Sequence, residues 1–139
     1  MGIVAIQAGL AAAVANVTGI RQSFPRLPDD INPATFIAGE YDLSRHLTFS
    51  SGGGLRAIPF TCLLLTSRGD TDQGRQDLAT FLDEGSATTS VFAALEADKT
   101  LGGVCSTLIV DGATGVGRQY EVGLVAYLGA EIQVRVWAT

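Results

Sequence analysis

A chain of 139 residues with 14 acidic and 9 basic side chains carries a net charge of −5. Its bases form no run, which excludes a cationic face that neutralises phosphates. Charged residues make up only 17%, against roughly 25% in an average soluble protein, and the mean hydropathy is +0.30; part of the surface is therefore expected to be covered by another protein.

Residues 2–17, GIVAIQAGLAAAVANV, repeat Ile3, Ile6, Leu10, Ala13 and Val17 at three- and four-residue steps. That spacing predicts a helix with one buried face, and the alanines favour it. Gly19 is a natural stop. No basic leader precedes this stretch and it has a helical period, so no signal peptide is expected. No run reaches the roughly 18 apolar residues of a membrane span.

GIRQSF reads as extended chain and leads into PRLPDDINPAT. Pro25, Pro28 and Pro33 fix φ and push the residues before them towards extended conformations. Asp30 and Asn32 can bond nearby amides and form turns. ATFIAGEYDL predicts a strand, and RHLTF a second one. SSGGG, residues 50–54, carries adjacent glycines and reads as flexible. RAIPFTCLLLTS predicts a strong strand with Pro59 at its start or on an edge.

Asp70 and Gln73 have capping-box spacing and open a helix with Leu78, Phe81 and Leu82 inward and Gly85 at its end. A further helix is expected from Thr89 or Ser90, with Val91, Phe92, Leu95 and Leu101 inward and Gly102 and Gly103 closing it. Seven of the fourteen acids fall between Asp70 and Asp98. They read as a solvated helical face, the sharper alternative being an acidic surface that DNA passes without sticking. VCSTLIV predicts a strand and DGATGVG a glycine-rich turn. From Gln119 to Ala138 every even position is apolar, which predicts one long strand bent near Gly123 or Gly129.

The chemistry-bearing residues find no partners in the sequence. Cys62 and Cys105 are expected to be buried free thiols, and no four-ligand metal spacing is present. His46 is the only histidine, and no nucleophile elbow accompanies it. Asp29 and Asp30 are neighbours in extended chain and point to opposite sides, a poor pair for sharing a proton. GATGVG and GGG are followed by strand text, whereas phosphate loops open a helix. No catalytic site, cofactor or metal is expected. The proline-bracketed loop reads as a docking shape, because a stiff segment loses less entropy on contact.

The order of these pieces resembles the tail terminator proteins of long-tailed phages. Three stretches carry the likeness: GIR with the following Pro-x-x-Pro-Asp, SVFAALEADKTLGG, and the ending YLGAEIQVRVWA. None is a catalytic signature. The resemblance covers nearly the whole chain and implies a single α+β domain over residues 1–139. Its mostly antiparallel or mixed sheet would carry the N-terminal helix, two further helices and a long C-terminal strand. It also implies a hexameric ring of identical subunits on the head-proximal end of the tail tube. Such a ring stops tube growth, meets the major tail tube protein on one side and the head connector or stopper protein on the other, and lets genomic DNA through its lumen without specific binding. The protein would then sit in the virion neck, after assembly in the host cytoplasm, without touching a membrane. Candidate rim contacts are Arg26, Asp29, Asp30 and Asn32 in the proline-bracketed loop and Arg45, His46 and Arg56 in the next arm. The alternatives are another neck or tail-completion protein (a stopper or minor tail component) and a small hydrolase using His46 with Asp29 or Asp30.

Overall fold

The centre of the molecule is the apolar run from Arg56 to Arg68, which lies in a sheet with a paired neighbour on each side. The computed structural model describes residues 2–28, 31, 33–42, 56–68, 72–83, 85, 88–122 and 124–138. The elements in chain order are α1 (Ile3–Val14), β1 (Gln22–Phe24), β2 (Thr35–Tyr41), β3 (Arg56–Arg68), α2 (Asp72–Leu82), α3 (Val91–Ala97), a 3-10 turn (Leu101–Gly103), β4 (Thr107–Val122) and β5 (Val125–Ala138). The sheet order is β1-β2-β3-β5-β4, with β1 parallel to β2 and every other pair antiparallel. This is the expected α+β single-domain fold, with a mixed sheet, three helices and a long C-terminal strand.

All three helices pack on one face of the sheet. Alternation within strands decides which residues meet them. Ile58, Phe60, Cys62 and Leu64 of β3 pair with Val136, Val134, Ile132 and Ala130 of β5, and all eight are buried in the main core. Ile6, Leu10 and Val14 of α1, Leu78 and Phe81 of α2, and Val91 and Leu95 of α3 close over them. Burying each such branched or aromatic side chain contributes about 1.5–3 kcal/mol before conformational entropy is subtracted.

The sheet's other face carries a smaller cluster: Ile31, Ile37, Leu65, Val122 and Tyr127. Its cover comes from the chain path. Parallel neighbours β1 and β2 need a crossover, and here the connection is residues 25–34 of the proline-bracketed loop. α1 occupies the helix face, and among the described residues of the connection Ile31 lies on the opposite one. Ile31 is 3% exposed there, and its carbonyl accepts a hydrogen bond from the Tyr127 hydroxyl at 3.5 Å. The loop is a strap with an apolar plug.

Local signals explain the helix ends. Ser90 caps α3, its Oγ accepting from the Ala93 amide at 3.3 Å. Leu101, Gly102 and Gly103 all have positive φ and turn the chain back towards β4. Leu101 is buried as expected, but in this turn rather than in the helix. The Gln73 amide donates forward to Asp77 at 2.9 Å; Asp70, its expected capping partner, lies outside the described residues. Pro59 sits near the start of β3, just beyond the last β2 pair, Tyr41 with Phe60, where its missing N–H costs little. α1 ends at Val14, before the expected stop at Gly19.

Three readings of the C-terminal half are corrected. DGATGVG is not a turn: it lies within β4, which pairs with β5 on both sides of two register shifts. Those shifts fall between Val110 and Gly112 and between Thr114 and Arg118, and Gly112, Gly115 and Gly117 have positive φ. The glycines supply bulges, and the Tyr120 hydroxyl donates to the Gly115 carbonyl at 3.2 Å across the larger one. Residues 119–138 are not one strand either. Val122 pairs with Val125, so the chain reverses between them and Gln119–Val122 belongs to β4. The strand expected over VCSTLIV begins at Thr107, which leaves Cys105 on its approach. RHLTF and SSGGG lie outside the described residues.

A candidate docking surface

α1 is unusual for a helix at a protein surface. It contains no charged side chain, and the first charge in the chain is Arg21. One side of it is buried through Ile6, Gln7, Leu10, Ala11 and Val14. The other side is bare: Val4 is 64% exposed, and Ala5, Ala8, Ala12 and Ala15 are exposed along the same stripe. A helix that is apolar all round normally has cover all round. α2 shows the ordinary arrangement. Its solvent side carries Asp72, Gln73, Arg75 and Gln76, with an amide–carboxylate bond from Gln76 to Asp72 at 2.7 Å. The described acids of α2 thus read as a solvated helical face.

The bare stripe borders a cleft of about 480 Å³ between α1 and the segment that ends α3. Gly9, Ala12 and Ala13 form one wall, and Ala94, Ala97 and Leu101 the other. Small residues make the cleft: a Cβ on Gly9 would come within 2.9 Å of the Leu101 Cβ. The one acid on the rim is Asp98. Shape and chemistry suit apolar side chains from another surface better than a charged small molecule.

Two polar contacts tie α1 to the sheet: the Ser23 hydroxyl of β1 donates to the Ala11 carbonyl at 2.5 Å, and Gln7 reaches β2. Gln7 is 4% exposed, and its Nε2 donates to the Gly39 carbonyl at 2.7 Å. β2 shifts register between Ile37 and Glu40, at that residue. The thiol of Cys62 donates weakly to the neighbouring Ala38 carbonyl at 3.9 Å.

Among the described residues a second region without cover is the half of the sheet that the strap does not reach. Here the odd positions of β3 and β5 face outward, paired as Thr61 with Gln133 and Pro59 with Arg135. Thr61 donates to Gln133 Oε1 at 3.2 Å, and Gln133 donates to Thr114 at 3.4 Å. Arg135 makes a two-pronged bond to Asp111 at 2.8–3.0 Å and stacks 5.3 Å over the Trp137 ring. These groups satisfy one another, so the face is polar and its strongest charges are paired. The outer edge of β4 is broken by its two bulges, which protects an edge from adding strands. At the β4–β5 reversal Leu124 is fully exposed, and Val116 in the larger bulge is 54% exposed.

Two of the seven predicted contact residues lie among the described residues. Arg26 is exposed in the strap, and Arg56 opens β3 opposite Ala138. Asp29, Asp30, Asn32, Arg45 and His46 lie outside the described residues. The α1 stripe is hidden in the sequence because its alanines also serve as helix formers; the absence of any charged side chain before Arg21 is the signal that marks it. Cys62 and Cys105 are buried free thiols, as expected. Burial pushes Cys62 up to about 12, and burial followed by the Asp98 charge raises Cys105. Neither is a ready nucleophile. Among the described residues no group of three His, Cys, Asp or Glu side chains is placed to hold a metal ion, and no helix is long and apolar enough to cross a membrane. No known protein-family model matches the chain, and no curated protein matches it in sequence.

Proposed function

We propose that this protein is a structural subunit of a phage virion: by analogy with the tail terminators it resembles, it forms a ring of six copies at the head-proximal end of the tail tube.

 The ring ends tube polymerisation and joins the tail to the head connector. The observation that carries this reading is the bare stripe of α1, a helix without a charged side chain whose outer side has no cover among the described residues. A second copy is the occupant argued for. Head-to-tail copies close a ring when the rotation between them divides a full turn, and such a contact joins two different patches. The stripe with its cleft is one patch. The apolar tip at Leu124 and the self-satisfied sheet face are uncovered regions elsewhere on the molecule from which the other can be drawn.

Two further properties support the reading. A net charge of −5 and the pairing of Arg135 with Asp111 leave little to hold a polyanion, which suits a conduit for DNA. The described surface offers apolar and amide chemistry for contacts, and its thiols are buried. One rim of the ring would cover the last tube ring, and the other would present a surface to which tube subunits cannot add.

The test is the size and place of the assembled protein. Light scattering and negative-stain microscopy of the purified chain, alone and mixed with tail tubes, are expected to find ring-sized species or tubes capped at one end. Antibody labelling of phage particles is expected at the neck. A monomer that leaves tubes uncapped and is missing from particles overturns the proposal.

A further inference from the structure

We draw no further inference here: the strongest candidate, the cleft between α1 and the turn after α3, belongs to the surface already assigned to a second copy, and nothing in the structure shows any other occupant that covers it.

Discussion

Gln7 on α1 and Gly39 on β2, 32 residues apart in the chain, meet in a hydrogen bond of 2.7 Å that, together with the bond from the Ser23 hydroxyl to the Ala11 carbonyl, fixes an otherwise apolar helix on the sheet. Apolar contacts alone allow a smooth, alanine-rich helix to slide or rotate at small cost. A directional bond to a bulged strand sets one position. That position determines which side of α1 is left bare.

Replacing Gln7 with Leu keeps the volume and removes the donor. The Gly39 carbonyl is then left short of its partner, and a loss of about 1–3 kcal/mol is expected. Urea denaturation of the variant measures it. A midpoint equal to that of the parent chain would show that the bond contributes nothing net.

Ala8→Glu and Ala12→Glu each place a charge on the bare stripe. Glutamate is a good helix former, and both sites are exposed, so folding stability is expected to shift by no more than about 0.5 kcal/mol. Assembly is expected to fail, because the partner would bury an unpaired carboxylate. Ala79→Glu, on the solvent side of α2, is the control and leaves assembly intact. Scattering and thermal melts read the two effects separately. Ring-sized species surviving both stripe variants would remove α1 from the interface.

Ile31→Ala withdraws the strap's plug from Ile37, Leu65, Val122 and Tyr127. A core truncation of this kind costs about 2–5 kcal/mol. Trypsin cleavage after the exposed Arg26 is expected to accelerate under native conditions, since the strap loses its anchor. Unchanged cleavage and unchanged stability together would mean that the strap is held by something other than this residue.

Cys62 makes stability depend on alkaline pH. Its native thiol holds its proton up to about pH 12 because ionising it would bury a charge. The unfolded thiol ionises near pH 8.5. Below that value both states are protonated and the stabilisation is fully present. Above it the unfolded chain releases the proton first, so stability falls by up to about 1.4 kcal/mol per pH unit from this group until the native thiol also ionises. Denaturation midpoints of the parent and Cys62→Ala between pH 8 and 10.5 provide the check: the parent is expected to fall more steeply. Parallel curves would show that the thiol is not sealed.

The final hairpin shows where a sequence pattern and the fold part company. Even positions from Tyr120 to Ala138 are apolar in one unbroken phase. In a single strand that phase means one face. The Val122–Val125 pairing instead matches even residues of β4 to odd residues of β5, as Tyr120 with Tyr127. Tyr120 and Val122 therefore join the strap-side cluster, while Leu128, Ala130 and Ile132 face the helices. The phase stays unbroken because both faces of the sheet bury apolar side chains. No turn dipeptide marked the reversal, and the glycines that looked like a turn, in DGATGVG, supply bulges.

By itself the sequence determined the helix face at Ile6 and Leu10, a helix start at Thr89 or Ser90, the strand at CLLLT and the fate of both thiols, because each follows from local spacing or from the apolar character of a short run. Only the tertiary structure decided where α1 points its uncharged side, which face Ile31 plugs, and that Gln7 reaches Gly39. Those outcomes depend on strand order and register, which pair residues far apart in the chain and leave no mark in the periodicity of either partner.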